Sequence, residues 1–396
     1  MKVGPLKDES KIGSFLRSKR HLFERWSGKR IVMPRRWLGS QEYARCFSGR
    51  WHQVYDRVTV KRKTPSRYGR RVADFDRMLE PTFPDFGVLE LEKGYVVGSH
   101  GWIVSKEGYW LPEHSWHGGD LSQMKIPRHS YRVIKLKGVC LSLASDWASS
   151  IYGHFLLHGL SRLDLFTKAG FALSDVDFFY CGFPDEHSRR MLLGLGIPAE
   201  KWILTAKDVA VQADVVLAAS FPGTRWNYPK WGVEFLRQAF TTTNIGPDLR
   251  LYIPRNTTRR ILNEGALLHT LNDHGFEIFD PPQHDEPLSY FARAEVVVGP
   301  TGSGLANLVF CRPGTRVLEL IPSDQVSALQ YTVAEAGGLE YGYLIGESTS
   351  VRSVPTSGRS PYDFCVDEEE FRYALVHTIS REHNGNNELS SSAATH

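Results

Sequence analysis

The sequence has no long apolar run. No stretch approaches the roughly 18 consecutive apolar residues that a membrane-spanning helix needs. Residues 1–5 also lack the apolar stretch that begins a secretory signal. We therefore expect a cytoplasmic protein.

Cysteine is scarce, and its spacing forms no motif. The cysteines are odd in number, lie far apart and form neither a C-x-x-C pair nor a zinc-finger spacing. A disulfide framework and a cysteine-based metal site are therefore not expected. We predict reduced core thiols at Cys46, Cys140, Cys181, Cys311 and Cys365.

Neither sign of charge is in large excess. The net charge is +4, and the apolar fraction of 41% and charged fraction of 23% lie near the averages of globular proteins. This composition argues against general disorder and against a membrane bundle, and 396 residues suffice for two domains of ordinary size. A mildly basic chain suits a polyanionic ligand or an anionic membrane surface.

Several catalytic motifs are incomplete. Asp85-Phe86-Gly87 resembles a kinase triplet, but no H-R-D or V-A-I-K motif accompanies it. Gly302-Ser303-Gly304 lacks the G-x-S-x-G spacing of a hydrolase elbow, and Asn307 stands where a dinucleotide fingerprint has its third glycine. Kinase, serine hydrolase and dehydrogenase functions are therefore not indicated.

Composition divides the chain into four segments. Residues 1–84 are an extension of basic clusters and aromatic residues, either a solvated helical face or a contact with lipid or another polyanion. Residues 85–225 begin with short apolar pieces typical of antiparallel hairpins and continue as alternating strands and helices. Residues 226–382 repeat this alternation, and residues 383–396 have too little apolar material to pack. The pattern predicts an α/β fold with two Rossmann-like domains.

A strand that stops at a glycine-rich turn is the strongest chemical signal. The β-branched segment 294–298 stops at Gly299, and a short helix follows the turn. Glycines permit φ values that other residues avoid, and the free N–H groups of a helix start favour an anion such as a diphosphate. Close packing is the alternative reason for such glycines. The turn residues are Thr301, Gly302, Ser303, Gly304 and Leu305.

Charged side chains follow two neighbouring strands of the same predicted sheet. Glu319 lies on the strand after the turn, where a carboxylate can accept hydrogen bonds from both ribose hydroxyls of a nucleotide; a salt-bridged surface glutamate is the alternative. The strand at 251–253 ends before Arg255, Arg259 and Arg260, whose guanidinium groups match phosphate oxygens. Arginines and a helix start can neutralise a diphosphate without an Asp-x-Asp metal clamp.

These residues resemble the family 61 glycosyltransferases, which include bacterial polysaccharide enzymes, plant xylan-decorating transferases and eukaryotic protein O-GlcNAc transferases. The family pattern joins an Arg-bearing strand end, a G-x-H-G-A-G-L-x-N turn, a P-G-T and a strand with Glu. Here it reads Arg255, residues 299–307, Pro313-Gly314-Thr315 and Glu319. Residues 152–163 are similar to the family's Y-x-H-W-L-x-(D/E)-x-L-P-R-L helix start.

The sequence departs from the family pattern at two polar positions, and the glutamine often found before the diphosphate strand is absent from residues 288–291. Thr301 stands where the family has the turn histidine, and His158 stands at the acidic position of the helix start. Thr301 keeps a hydroxyl that could donate to phosphate, but it cannot carry a positive charge. Donor contacts and catalytic details are therefore expected to differ from those of the family.

The resemblance implies a GT-B architecture, in which two Rossmann-like domains face a cleft. It also implies an inverting transfer from a nucleotide-diphosphate sugar, expected to be a UDP-sugar, to a hydroxyl of a glycan or glycolipid, without a metal or other cofactor. His154 is the first candidate base, because imidazole titrates near neutral pH, and Asp146 is the second. The alternative for His154 is a histidine that only orders the helix start. Arg255 and Arg259, with the turn backbone, would stabilise the diphosphate.

Other functions stay open beside this one. A catalytically weak nucleotide-sugar-binding scaffold of the same fold fits the replacements at positions 301 and 158. Binding of RNA or lipid through the basic region is a third interpretation, although we expect no nucleic-acid partner. Peripheral contact of residues 1–84 with the inner membrane is compatible with catalysis, and the family implies bacterial surface polysaccharide synthesis such as capsule assembly.

Overall fold

The computed structural model describes residues 23–24, 28–115, 126, 128–223, 226–240, 246–281, 287–349 and 362–380. In these ranges the chain is a mixed α/β fold, with a ten-stranded sheet, a seven-stranded sheet and a two-stranded ribbon. The α/β prediction is confirmed. Residues 1–22 of the predicted extension and the predicted tail 383–396 lie outside the described residues.

The strands, in chain order, are β1 (Phe23–Glu24), β2 (Arg30–Val32), β3 (Gly49–Tyr55), β4 (Val58–Thr59), β5 (Ser66–Tyr68), β6 (Thr82–Phe83), β7 (Phe86–Glu92), β8 (Tyr95–Val97), β9 (Trp102–Val104), β10 (Ser130–Ser142), β11 (Phe178–Cys181), β12 (Trp202–Leu204), β13 (Val209–Ala219), β14 (Leu249–Tyr252), β15 (Glu277–Ile278), β16 (Ala294–Pro300), β17 (Arg316–Pro322), β18 (Glu340–Ser348) and β19 (Phe364–Cys365).

The α-helices are α1 (Ser40–Cys46), α2 (Ala73–Asp76), α3 (Tyr152–His154), α4 (Leu163–Lys168), α5 (Glu186–Gly194), α6 (Lys230–Phe240), α7 (Glu264–Asp273), α8 (Pro287–Arg293), α9 (Leu329–Gly337) and α10 (Glu368–Ile379). The 3-10 segments are Pro112–His114, Leu160–Arg162, Leu173–Asp175, Ala199–Lys201 and Ser303–Phe310, and Phe155–Gly159 is a π-helix. In the described part no helix combines the length and apolar character needed to cross a bilayer.

The first sheet has a parallel centre with antiparallel flanks. Strands β12, β11, β10 and β13 run parallel in that order, and β7 and β3 extend the sheet beyond β13 in antiparallel pairing. Strands β8 and β9 pair antiparallel, with Tyr95 opposite Val104. Because the central strands are parallel, the loops after Ser142 and Ala219 leave from one edge of the sheet.

The second sheet is parallel apart from its last strand. Its order is β15, β14, β16, β17, β18 and β19, and β5 pairs parallel with β18. Every residue of β17 is buried, as is all of β16 except the half-buried Glu295. A run of Val296, Val297 and Val298 suits such a strand, because helices cover both faces of a parallel sheet.

The basic N-terminal region adds strands to both sheets. Strands β1 and β2 pair with β10, β3 pairs with β7, and β5 pairs with β18. Where the structure describes this region, its basic clusters lie in strands and loops, so the interpretation as a helical face is wrong for them. Short segments that alternate basic and aromatic residues suit strands, because successive strand side chains point to opposite faces.

One hydrophobic cluster joins elements of the two sheets. It contains Leu141 and Leu217 from the first sheet, Leu251 and Val297 from the second, and Trp231 from α6. Helix α6 contacts both α9 and the 3-10 helix Ser303–Phe310. The loops at the carboxyl ends of the strands are therefore positioned by a shared core.

Candidate functional site

The glycine-rich turn begins where β16 ends. None of Gly299, Gly302 and Gly304 has a left-handed φ, and Gly302 is extended with a φ of 176°, so the expectation of unusual backbone angles is wrong. Space explains the glycines instead: a Cβ atom at Gly299 would lie 2.9 Å from the Ile253 carbonyl oxygen, and one at Gly304 would lie 2.8 Å from the Ile253 Cγ2. The absence of side chains lets the turn pack directly on the residue that follows β14.

The Arg255 guanidinium lies against the turn. A Cβ atom at Gly302 would fall 2.0 Å from Arg255 Nη1, so only glycine leaves room for this side chain. The half-buried Arg255 also donates a hydrogen bond from Nε to the Thr258 carbonyl oxygen, which fixes its direction. The predicted pairing of an arginine with the turn is present in the structure.

The other two arginines of this loop differ in their surroundings. Arg259 is 6% exposed, has a φ of +64° and lowers the pKa of Glu319 by its charge. Arg260 is exposed and pairs with Asp363 at 2.7 Å. Of the three predicted guanidinium groups, Arg255 therefore lies against the turn, Arg259 acts on the buried Glu319, and Arg260 is held by a loop far along the chain.

Glu319 lies beneath the turn and is fully buried. Its carboxylate accepts hydrogen bonds from the Thr301 hydroxyl at 2.7 Å and from the Tyr341 hydroxyl at 2.5 Å. Burial raises its pKa to about 7, and the two hydroxyl groups and Arg259 limit the rise. In this structure both Glu319 and Thr301 are engaged with each other, so the pair supports the turn from behind.

The turn amides are also partly engaged within the fold. The Thr301 amide donates to the Leu320 carbonyl at 2.9 Å, and the Leu305 amide donates to the Gly302 carbonyl at 3.2 Å. Ser303 is exposed at the start of the 3-10 helix, whereas Leu305 is buried. The amides from Gly302 to Gly304 are therefore the part of the predicted backbone site that could meet a ligand.

His154 belongs to a chain of three polar rings. It ends α3, and its Nδ1 atom lies 3.0 Å from Nδ1 of His158, which is fully buried on the π-helix. His158 Nε2 lies 2.6 Å from the hydroxyl oxygen of Tyr228. π-Helical turns occur often at functional sites. The residue at the family's acidic position is therefore a neighbour of the first candidate base.

The contact between the two imidazoles limits their chemistry. Two neutral rings that meet through Nδ1 share a single proton. When His154 holds that proton, its Nε2 keeps a lone pair and can accept a proton from a substrate; His158 then donates from Nε2 to Tyr228. The opposite arrangement leaves Nε2 of His154 protonated, and it could not act as a base.

Two indole rings border His154. The Trp147 and Trp226 ring centroids lie 5.3 Å and 5.5 Å from that of His154, and the two indoles are nearly parallel at 6.2 Å. Asp146, the second candidate base, is 5% exposed, and its Oδ1 lies 2.5 Å from Nδ1 of His100. The structure therefore gives the Asp146 carboxylate a partner from the loop between β8 and β9.

Side-chain hydrogen bonds connect the histidine segment to the glycine turn. The Tyr152 hydroxyl donates to Asn307 Oδ1 at 2.7 Å, and Asn307 Nδ2 donates to the Gly304 carbonyl at 3.0 Å. Tyr152 precedes His154 by two residues, so His154 lies on an element that is bonded to the turn. Asn307 belongs to the predicted turn motif at residues 299–307, but the sequence alone indicated no role for its side chain.

Helix α9 supplies two residues that the sequence analysis missed. Gln330 Nε2 donates to the Gly302 carbonyl at 3.3 Å, and the Thr332 hydroxyl donates to the Trp226 carbonyl at 2.7 Å. One turn of helix therefore holds both the glycine turn and the Trp226 loop. Gln330 and Thr332 belong to no recognisable sequence motif, so their contacts with the site are evident only from the fold.

Arg162 holds the loop that precedes the histidine segment. Its guanidinium is buried and donates to the carbonyl oxygens of His114 at 3.1 Å and Ala144 at 2.8 Å. Burial lowers the pKa of Arg162 to about 9. Ala144 lies two residues before Asp146, so this arginine positions the start of the Asp146–Trp147 loop. The family's helix-start pattern includes an arginine here.

Two Asp-x-Asp triplets bear on the expectation of a metal-free site. Asp74 and Asp76 of α2 accept hydrogen bonds from arginines at 3.0 Å and 2.7 Å. Asp175 and Asp177 precede β11, at the opposite end of that strand from the edge that leads to the histidine segment. Within the described ranges no group of three or more His, Cys, Asp or Glu side chains is arranged to hold a metal. Metal independence itself stays a prediction.

Comparison with known proteins identified one matching family. Residues 152–318 match the sequence model of the family described as Glycosyltransferase 61. The matched range begins at the element that carries His154 and includes Arg255 and the glycine turn. A comparison with curated proteins gave no significant match. This match supports the identification of residues 152–318 as part of a family 61 glycosyltransferase.

Proposed function

We propose that this glycosyltransferase is an inverting, metal-independent enzyme that uses a nucleotide-diphosphate sugar. One observation supports the proposal most: Arg255 lies against Gly302, and His154 lies on an element bonded to the same turn through Tyr152 and Asn307. A base and a stabiliser of the leaving group are thereby held on adjoining segments. An in-line displacement requires such an arrangement.

The donor diphosphate would lie on the turn. The Arg255 and Arg259 guanidinium groups offer charge-assisted hydrogen bonds, and the amides from Gly302 to Gly304 offer backbone donors. These groups would stabilise the negative charge that develops as the diphosphate leaves, and no metal or other cofactor is required. We propose a UDP-sugar as donor. Glu319 and Thr301 would keep the turn in shape.

The transfer would be a single displacement at the anomeric carbon. His154 Nε2 takes the proton of the acceptor hydroxyl while the hydroxyl oxygen forms a bond to that carbon. The bond from the carbon to the diphosphate oxygen breaks on the opposite face, and its electron pair stays with the diphosphate. The configuration at the anomeric carbon is therefore inverted. Asp146, paired with His100, would contribute to the acceptor side of the site.

We assign the two sheets to the two domains of a GT-B architecture. The parallel centre of the first sheet and the parallel second sheet are what two Rossmann-like units would contribute. His154 follows the first sheet's strand β10, and the turn follows the second sheet's strand β16. Acceptor and donor would then approach from the two domains into one cleft.

A screen of UDP-, GDP-, CMP- and dTDP-sugars, with and without a chelator, tests the proposal. We expect one nucleotide class to raise the melting temperature of the protein equally with and without EDTA. Slow release of the nucleotide from that sugar donor should follow on incubation. A stabilisation that EDTA abolishes would refute metal independence, and the absence of stabilisation by every donor would refute the donor site.

A binding scaffold is the second candidate, and one observation favours it. Thr301 and His158, which replace polar groups of the family pattern, are both occupied by contacts within the protein. A scaffold predicts tight binding of a nucleotide-sugar without release of free nucleotide over many hours, with any acceptor glycan present. Release of nucleotide that depends on His154 decides for the enzyme.

We further propose an acceptor glycan or glycolipid of bacterial surface polysaccharide synthesis, reached from the cytoplasmic side of the inner membrane. The exposed side chains Val32 and Trp37 lie close in sequence to Arg30, Arg35 and Arg36, which suits an anionic lipid surface. Binding to vesicles containing phosphatidylglycerol should fall with salt and fall further in Trp37→Ala. Equal binding to vesicles of phosphatidylcholine alone would exclude this contact.

A further inference from the structure

Backbone strain is concentrated around the candidate site. In the part of the chain that the structure describes, four residues other than glycine have a positive φ, and three of them are Trp147, Trp226 and Arg259. Bulky side chains avoid this region of backbone conformation, because Cβ approaches the following carbonyl oxygen. Such residues persist only where surrounding contacts enforce them, and they cluster at functional sites.

Hydrogen bonds hold both tryptophan backbones in this conformation. The Trp147 carbonyl accepts from the amides of Ser150 at 3.0 Å and Ile151 at 2.8 Å. The Trp226 amide donates to the Gly223 carbonyl at 3.1 Å, and its carbonyl accepts from Thr332. Two loops from the same edge of the first sheet are therefore fixed independently, each with its indole beside His154.

The indoles make a surface suited to a sugar ring. Trp147 is 41% exposed although it is large and apolar, and its ring is nearly parallel to that of Trp226. One face of a pyranose consists largely of C–H groups, which are attracted to the negative face of an aromatic ring. Asp146 and the half-exposed His100 lie at the Trp147 loop and offer polar groups to sugar hydroxyls.

We propose that Trp147 and Trp226 form the acceptor subsite and bind one pyranose residue of a glycan with a hydroxyl directed to His154. This inference rests on the proposed function, because a sugar on the indoles is the acceptor only if the glycine turn binds the donor. Arg255 and Gly302 lie in loops that follow strands of the second sheet, whereas both indoles lie in loops that follow strands of the first sheet and border His154. A sugar ring on the indoles would therefore contact the base from the side of the first sheet.

Saturation-transfer NMR with methyl glycosides of glucose, galactose, mannose and xylose tests the subsite, with UDP as a separate probe. We expect saturation of at least one glycoside by the wild-type protein and roughly ten-fold weaker binding in Trp147→Ala and Trp226→Ala. Trp147→Gly is the second variant, because glycine adopts the positive φ without strain and removes the same ring. Tyr373→Ala, which removes an exposed aromatic ring elsewhere, is the control and should bind like the wild type.

The two probes separate the subsite from the donor site. Loss of glycoside binding in the three site variants, with UDP binding kept, supports the subsite. If the variants lose UDP binding instead of glycoside binding, the indoles hold the nucleobase and the proposal is overturned. Glycoside binding that is unchanged in the variants, or absent in the wild type, would also overturn it. If glycoside binding depends on the indoles while UDP never binds, the subsite stands and the donor assignment fails.

Discussion

The proton shared with His158 determines which nitrogen of His154 is available for chemistry. The two ring nitrogens of His158 are occupied by His154 and Tyr228, so it can fix the tautomer of His154 without adding a charge. A carboxylate at this position, as the family pattern has, would favour the charged imidazolium form of His154. The replacement of an acidic residue by histidine should therefore alter the pH range of the reaction rather than abolish it.

His158→Glu should move the acidic limb of the kcat/KM profile to higher pH, because a neighbouring carboxylate makes the imidazolium of His154 harder to deprotonate. His158→Phe should lower kcat roughly 10- to 100-fold, because the tautomer and ring orientation are no longer fixed. Rate measurements from pH 5 to 9 check both changes. Tyr228→Phe serves as the control with a smaller effect, and an unmoved limb in His158→Glu contradicts the assignment of His154 as base.

Glu319 should make stability depend on pH in an unusual direction. The native carboxyl keeps its proton up to its pKa of about 7, whereas the unfolded chain loses it near the ordinary value of 4.5. The native state thus binds more protons between these values, and the free energy of unfolding should fall as pH rises through this window, by on the order of 2–3 kcal/mol. Urea unfolding at pH 5 and pH 8 measures the fall.

Glu319→Gln is the matched variant for this measurement. It keeps the shape of the side chain and an oxygen for one of the two hydroxyl groups, but it cannot ionise. We expect its free energy of unfolding to lack the fall between pH 5 and pH 8 that Glu319 causes in the wild type. The same fall in the variant as in the wild type would assign the effect to another group.

At the scale of elements, the strands and helices around the turn follow local sequence closely. Strands β14, β16 and β17 lie where the sequence pattern predicts them, because each segment is bounded by residues that end it. The reason for the glycines was not predictable in the same way. Their close contacts are with Ile253 and Arg255, which come from a strand end more than forty residues earlier.

Two alanine substitutions should separate ligand binding from packing within the turn. Gly302→Ala would displace Arg255, since the new Cβ would overlap its guanidinium, so donor affinity should fall roughly ten-fold or more while stability changes little. Gly299→Ala meets the Ile253 backbone oxygen, which cannot move aside, so it should lower stability by about 1–3 kcal/mol. Thermal unfolding and UDP titration of both variants check this, and equal effects on the two quantities would contradict it.

At the scale of the whole molecule, the sequence predicted the class of the fold better than its assembly. The first 84 residues read as an appendage, because their pairing partners are far away in sequence. The structure places β3 against β7 and β5 against β18, and Phe75 packs on Tyr331 and Tyr343. The contacts of Tyr228 with His158 and of Thr332 with Trp226 also join residues far apart in sequence, so no local pattern predicts them.

Removal of residues 1–84 should therefore destabilise the protein as a whole. The deletion would expose the edges of β7 and β18 and uncover Tyr343, so we expect loss of a cooperative thermal transition and a tendency to aggregate. Circular dichroism melting and size-exclusion chromatography measure the outcome. A shortened chain that melts cooperatively at the wild-type temperature would show that the region is an independent extension.

The central claim is that Arg255 and the glycine turn bind the donor diphosphate, and calorimetric titration of UDP into two arginine variants tests it most directly. Arg255 and Arg260 lie five positions apart in one loop, and either alanine substitution removes one positive charge, but only Arg255 lies against Gly302. We predict that Arg255→Ala weakens UDP binding about 10- to 100-fold, while Arg260→Ala binds like the wild type. Unchanged affinity in Arg255→Ala, or an equal loss in both variants, would contradict the account.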